Sequence, residues 1–180
     1  MEKNVSPLIC QLPYPTTQNL AKDLRTANII YFAYNGQKSE KTAMQLYHKY
    51  SQMLNNQDAQ LMKQIYLAEQ LHLKLLHDTL LSLGYKLPQQ QASNSNTYLP
   101  KNNPPSANYN NVIMQAIATK LTTIVEYKKM LYLIKNTDIQ QIIERILMDE
   151  NLHLQALQSM AKTQAKSSAI SPNIQDMVFS

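Results

Sequence analysis

Ala68-Glu69-Gln70-Leu71-His72-Leu73 is repeated as Asp149-Glu150-Asn151-Leu152-His153-Leu154, and this repeat is the strongest indication of the fold. Two of the four histidines in the chain lie in it. Around each copy, apolar residues recur at spacings of three and four, which predicts a helix with one buried face. The glutamate and the histidine of each copy lie on that apolar face. Because an unpaired buried carboxylate is costly, each glutamate needs a partner inside the protein.

The glutamate and the histidine of each copy are one helical turn apart, so both side chains can reach one metal ion. The alternative is an internal network in which Glu and His satisfy each other without metal. Two such pairs in one core favour the metal, because that arrangement is typical of di-metal helical bundles. The predicted ligands are Glu69 and His72 from the first copy, and Glu150 and His153 from the second.

Four amphipathic helical segments contain the repeat. They span 22–54, 57–83, 110–135 and 138–162. Short polar turns join the first segment to the second and the third to the fourth. The segments therefore form two antiparallel hairpins, at 22–83 and 110–162.

The stretch between the hairpins, residues 85–109, is rich in Gln, Asn, Ser and Pro, a composition that neither packs well nor propagates a helix. It predicts a crossover linker that runs the length of the bundle. One long crossover between the second and third helices is the connectivity of a ferritin-like four-helix bundle. The predicted fold is therefore all-α, with the bundle at 21–162, a polar leader at 1–20 and a flexible tail at 163–180.

Charge and composition exclude several classes of protein. The formal net charge is +5, but Lys and Arg are scattered, so no basic patch for nucleic acid is predicted. No apolar run approaches the roughly 20 residues of a membrane span, and residues 1–19 hold no signal-peptide core. Cys10 is the single cysteine and cannot form an intramolecular disulfide. We expect a soluble, cytoplasmic protein without nucleic-acid or membrane partners.

The paired Glu-x-x-His motifs on helices two and four resemble the di-iron carboxylate proteins of the ferritin and rubrerythrin superfamily. In those proteins, helices one and three each add one further Glu. The resemblance covers 22–162 and is closest to two-hairpin ferritin-like proteins of spore-forming bacteria. It implies a bound metal ion, with iron or manganese suited to carboxylate and imidazole ligands. If the site is redox-active, the resemblance implies reaction with dioxygen or peroxide.

In the first helix, the superfamily pattern is Glu, a small residue three later and an aromatic residue four beyond. Glu40, Ala43 and Tyr47 match it, so the resemblance assigns Glu40 as a fifth ligand. Gln37 lies on the same face and follows Gly36, which gives a rival register in which the carboxylate has become an amide. Sequence alone leaves this choice open.

In the third helix, the ligand position holds Lys120. The step from Lys120 to Glu150 is only one residue longer than the step from Glu40 to Glu69. Glu126 is the one carboxylate of this helix, but it lies about 100° away from the buried stripe. Lys120 is expected either to place its ammonium where a second ion would lie or to extend its amine to solvent.

Charge counting predicts what Lys120 does to the site. Four glutamates carry −4, which two divalent ions neutralise. Three glutamates with a protonated Lys120 carry −2, which one divalent ion neutralises. Protonating both histidines would instead bring a metal-free site to neutrality.

Four other side chains near the motifs are predicted to lie at the surface or to pack in the core rather than to bind metal. His48 and His77 lie off the inward stripes and are predicted at the surface. Tyr47 and Tyr127 occupy matching positions in the two hairpins. They are predicted to pack in the core with their hydroxyls on a carboxylate.

The leading hypothesis is a ferritin-like protein with a degenerate, mononuclear iron or manganese site and a role in oxidative stress or metal handling. The alternative is a metal-free structural or interaction protein, associated with a spore, that keeps the bundle. A homodimer or larger assembly is expected in either case. Whether the protein turns over a substrate stays open, and no Cys-x-x-Cys pair is present for a rubredoxin-like centre.

Overall fold

The computed structural model describes residues 8–54, 56–88 and 109–169, and within them the chain is helical with no strand. These described residues contain five helices: α1 Leu24–Asn35, α2 Glu40–Met53, α3 Asn56–Ser82, α4 Tyr109–Leu133 and α5 Thr137–Ala169. Helix α2 packs mainly on α3, and α4 on α5, so the two predicted hairpins are present. The predicted all-α ferritin-like bundle is confirmed. Among the described helices, none is both long and apolar enough to cross a membrane.

The first predicted segment, 22–54, is two helices rather than one. Helix α1 ends at Gly36, whose N–H donates to the Phe32 carbonyl at 2.9 Å. A Cβ on Gly36 would lie 2.5 Å from that carbonyl oxygen, so only glycine fits the ending without a shift. Ser39 then caps α2 by accepting from the Thr42 N–H. The break makes Glu40 the first residue of α2, beside the positive end of its dipole.

The last helix begins at a cap and runs past the predicted end of the bundle. Asn136 Oδ1 accepts from the backbone N–H groups of Asp138 and Ile139. At its other end α5 continues to Ala169, within the predicted tail 163–180, because residues such as Ala, Lys and Gln there favour helix. Most of the predicted crossover, 89–108, and residues 1–7 and 170–180 lie outside the described part of the chain.

Two apolar clusters fill the bundle and leave a polar layer between them. One cluster contains Leu76 and Leu80 of α3 with Ile142 and Ile146 of α5. The other contains Met62 and Ile65 of α3, Ile113 and Ala116 of α4, and Leu157 of α5. The repeated Glu and His side chains lie in the middle of α3 and α5, between these clusters. Each charge in that layer is therefore cut off from water and depends on its neighbours for stabilisation.

Candidate metal centre

The predicted site residues converge in the polar layer. Their side chains come from α2, α3, α4 and α5, and all are almost completely buried: Glu40, Glu69, His72, Lys120, Glu150 and His153. Glu69 and His72 are one turn apart on α3, as are Glu150 and His153 on α5, so the helical period aims each pair inward. Gln37, the rival to Glu40, is exposed. Of the two candidates, Glu40 therefore faces the cluster.

Lys120 lies inside the cluster and does not extend to solvent. Its Nζ donates to Glu69 Oε1 and to both carboxylate oxygens of Glu150, at 2.9 and 2.7 Å. Burial alone would lower the pKa of this ammonium. The carboxylates of Glu150 and Glu69 outweigh burial and hold the pKa well above its ordinary value. Lys120 is therefore a fixed cation between two carboxylates that come from different hairpins.

The same contacts keep the two carboxylates ionised. Burial would raise the pKa of Glu69, but Lys120, Glu40 and the two histidines together outweigh it, and the pKa lies well below its ordinary value. Burial and the nearby Glu69 both raise the pKa of Glu150, yet Lys120 and the two histidines lower it to about 2. Negative charge therefore persists in the bundle centre, which is a requirement for binding a cation.

Among the buried side-chain atoms that make no hydrogen bond within the described chain are Glu40 Oε2, Glu69 Oε2 and His72 Nδ1. His72 Nδ1 lies 3.8 Å from Glu69 Oε2 and 3.9 Å from Glu40 Oε2. It is also 3.4 Å from Glu150 Oε1. These four side chains each offer one ligand atom within 4.8 Å of the others. We call this group, Glu40, Glu69, His72 and Glu150, the His72 half of the cluster.

The other half contains His153 and Lys120. His153 Nδ1 lies 3.4 Å from Glu69 Oε1 and 3.4 Å from Glu150 Oε1, which are oxygens that Lys120 also binds. Neither ring nitrogen of His153 makes a hydrogen bond within the described residues. The Lys120 ammonium therefore occupies the half that would otherwise offer a second set of ligands.

Glu40 is held by a tyrosine of the other hairpin. Tyr127 donates its hydroxyl proton to Glu40 Oε1. Burial, followed by the charges of Glu69 and Glu150, raises the pKa of Glu40 well above its ordinary value. The prediction that the tyrosine hydroxyl donates a hydrogen bond to a carboxylate is therefore confirmed for Tyr127. For Tyr47 it was wrong, because that hydroxyl donates to the Ala116 carbonyl at 3.2 Å.

The surface assignments of the remaining histidines agree with the structure. His48 is exposed, and the His77 side chain is 40% exposed. Neither contributes to the cluster.

Asp149 is a functional residue that the sequence analysis missed. Its Oδ2 lies 3.2 Å from His72 Nε2, and its Oδ1 accepts from Arg145 at 2.7 Å. Burial would raise the pKa of Asp149, but the bonds from His72 and Tyr14 lower it to about 2. The signal was present in the quoted repeat, since the residue before Glu150 is Asp149 whereas the residue before Glu69 is Ala68.

A groove of about 530 Å³ lies against the outer side of the cluster. Its walls are mostly apolar and come from α1 and α4, including Ile29, Phe32 and Met130, and Glu40 and Tyr127 also line it. Gly36, at the break between α1 and α2, lies at its edge. The break therefore places open space next to Glu40.

The donor set fits a divalent metal ion. The His72 half combines three carboxylates with one imidazole, a mixture that suits iron and manganese. Its three unpaired atoms point at one another rather than at protein donors. Asp149 Oδ2 lies within hydrogen-bond distance of His72 Nε2. A carboxylate in this position is usual for a histidine whose other ring nitrogen binds metal.

Comparisons with known proteins show the family and the fold of the chain. The rubrerythrin family profile matches residues 31–161. A crystal structure of wild-type KatB, a manganese catalase from Anabaena, is similar with a TM-score of 0.70 and 16% identity, covering 91% of this chain and 82% of that one. A second structure, of KatB from Anabaena PCC7120, gives a TM-score of 0.69 and 15% identity, covering 87% and 80%. No curated protein sequence matches the chain.

Proposed function

Because the chain belongs to the rubrerythrin family, we propose that it binds one divalent ion, iron or manganese, in the His72 half of its buried cluster. The observation that supports this proposal most directly is the convergence of Glu40 Oε2, Glu69 Oε2 and His72 Nδ1. None of these atoms makes a hydrogen bond within the described chain. Unsatisfied buried polar atoms are rare, and three that face one another suit a shared cation. Glu150 Oε1 completes the set.

Lys120 and one ion would share a single oxygen, Glu150 Oε1. The ammonium bonds to Glu69 through Oε1, which leaves Oε2 of the same carboxylate free for metal. Once the ion displaces the proton of Glu40, three glutamates with Lys120 carry −2, so one divalent ion brings the cluster to neutrality. A second ion would have to displace the ammonium from Glu69 and Glu150. His153, also predicted as a ligand, lies within reach of the same two carboxylates but on the ammonium's side.

A bound iron or manganese ion supplies one-electron redox chemistry toward dioxygen or hydrogen peroxide. The protein's own residues prepare the surroundings. Apolar clusters on both sides of the layer exclude water, and Tyr127 orients Glu40 by hydrogen bonding. The KatB structures belong to a manganese catalase, so manganese and peroxide are the first metal and substrate to test. A role in oxidative stress or metal handling follows from this reactivity.

The test is the number of metal ions per chain in matched variants. Untagged protein is grown with iron and manganese and measured by elemental mass spectrometry. We expect one ion per chain in the parent. His72→Ala should hold almost none, whereas His153→Ala should keep its ion. Equal loss in both variants, or two ions in the parent, would contradict the assignment to one half.

A metal-free structural protein is the second candidate, and a specific observation favours it. The carboxylates of Glu69, Glu150 and Asp149 face three cationic partners, Lys120, Arg145 and a protonated His72. With Glu40 protonated, this set is neutral without metal. The same elemental analysis separates the candidates, because the structural protein would stay near zero after reconstitution and its melting temperature would not respond to added manganese.

Assembly into a homodimer or larger oligomer stays a prediction. Several exposed apolar side chains share one face of α4, among them Met114, Leu121 and Val125. Their spacings of seven and four residues place them in one line along the helix. A partner copy packed there would remove this line from water.

A further inference from the structure

Part of the predicted polar leader packs against the bundle beside the metal centre. We call residues Leu8–Tyr14 the strap. At one end Leu8 is buried in the apolar cluster that contains Met62 and Leu157. At the other end the Tyr14 ring lies 6.4 Å from the His72 ring, in an edge-on arrangement. The strap therefore covers the side of the centre where His72 lies.

Arg145 of α5 ties down the backbone of the strap. Its Nε donates to the Leu12 carbonyl at 2.8 Å, and one terminal nitrogen donates to the Cys10 carbonyl at 2.5 Å. The guanidinium also lies 4.1 Å from the centre of the Tyr14 ring. A planar guanidinium can make these contacts together, whereas a lysine ammonium has no fork to do so.

Asp149 joins the strap to His72. Its Oδ1 accepts from the Cys10 backbone N–H at 2.6 Å and from Arg145 at 2.7 Å. Its Oδ2 accepts from the Tyr14 hydroxyl and contacts His72 Nε2 at 3.2 Å. Four partners thus fix both oxygens of one fully buried carboxylate. The position of Asp149 depends on the strap as much as on its own helix.

The internal repeat provides a control for what Asp149 does. Asp149 Oδ2 lies within hydrogen-bond distance of His72 Nε2, and the opposite ring nitrogen, Nδ1, faces Glu150 in the cluster. The residue that corresponds to Asp149 in the first hairpin is Ala68, whose side chain has no hydrogen-bond acceptor. Correspondingly, His153 makes no hydrogen bond at either ring nitrogen within the described chain. The strap and Asp149 therefore distinguish two otherwise equivalent histidines.

We propose that Tyr14 and Arg145 are positioning residues of the metal centre: they hold Asp149, which orients His72 so that Nδ1 faces the ion. The strap thereby assigns the single ion to the His72 half and closes that side of the centre. The assignment of an ion rests on the proposed function, but the orientation of His72 does not, because it is a property of the metal-free protein. Outer partners of ligand histidines commonly change metal affinity by 10–100-fold.

The first experiment compares Tyr14→Phe with Tyr50→Phe in the full chain. Tyr50 is a matched control, because its hydroxyl also hydrogen-bonds, to Gln115 Oε1 at 2.9 Å, but away from the cluster. Manganese affinity is measured by competition with a chelator. We expect about a 10-fold weaker affinity in Tyr14→Phe, at the low end of the range for outer partners. Tyr50→Phe should bind like the parent.

The second experiment reads the orientation of His72 directly, by NMR of metal-free protein with ¹⁵N-labelled histidine. In the parent and in Tyr50→Phe, the Nε2 proton of His72 should be protected from solvent exchange, whereas in Tyr14→Phe it should exchange several-fold faster. Equal exchange and equal affinity in the two variants would overturn the role of the strap. If the parent binds no manganese but Tyr14→Phe still accelerates exchange, the proposed metal function fails and the positioning role stands.

Discussion

Replacing Lys120 by methionine tests the internal ion pairs of the cluster. Methionine keeps a long unbranched stem, so packing changes little, but it removes the cation from Glu69 and Glu150. Removing one partner of a buried ion pair destabilises a protein by about 3–5 kcal/mol, because the remaining charge is left uncompensated. For a chain of 180 residues, each kcal/mol lowers the melting temperature by about 2–4 °C. We therefore expect Lys120→Met to melt about 6–20 °C below the parent.

The matched control is Lys129→Met on the same helix. Lys129 donates to Glu126 at 2.9 Å, but these side chains are 62% and 47% exposed. Exposed pairs contribute about 0–1 kcal/mol, so this variant should lose at most about 4 °C. Melting is followed by circular dichroism in the presence of a chelator, so that no metal replaces the missing ammonium.

The difference between Lys120→Met and the parent should also depend on pH. In the parent, Glu69 and Glu150 have lowered pKa values, so their contribution to stability is present above their ordinary pKa and is lost as pH falls. In the variant the carboxylates lack their cation, so protonating them removes the destabilisation that their uncompensated charge causes. The difference in melting temperature between the two proteins should therefore narrow as pH falls from about 5 toward 2. If Lys120→Met melts like Lys129→Met at pH 7, the ammonium does not compensate these carboxylates and the charge argument is refuted.

Two further predictions concern the same layer. Lys120→Glu should bind two ions per chain by elemental analysis, because four carboxylates carry −4; a value of one would show that Lys120 does not set the number of ions. Asp149 has its pKa lowered from 3.8 to about 2, so its contribution of about 2 kcal/mol is present above pH 4 and lost toward pH 2. Urea unfolding at pH 5, 4 and 3 should show a smaller acid loss in Asp149→Asn than in the parent, and equal losses would contradict the pairing.

Helical periodicity was the most informative signal in the sequence. It is a local property, so the repeated Glu and His could be placed on buried faces from spacing alone. Comparing the two hairpins also placed Lys120 at the level of Glu69 and Glu150, where it lies in the structure. The break between α1 and α2 escaped detection, because Gly36 with an apolar period on both sides is also compatible with one continuous helix.

Apart from the convergence of the repeated Glu and His residues, the partners in long-range contacts could not be identified from the sequence. Tyr14 and Asp149 are separated by 135 residues, and Tyr127 and Glu40 by 87. No local pattern predicts such pairs, because they depend on how the helices are rotated and shifted against one another. The leader looked like an unpacked segment, since its polar and proline-containing composition carries no periodicity.

The amino-acid sequence was enough to predict an all-α bundle of two hairpins, the inward direction of both Glu-x-x-His pairs and the net charge that they share with Lys120. Those properties follow from helical period and residue type. Only in the folded protein does the ammonium lie in one half of the cluster, while Asp149 and Tyr14 of the strap contact His72 in the other. Two copies of one motif are equivalent along the chain, and they become different only when the fold surrounds them with different neighbours.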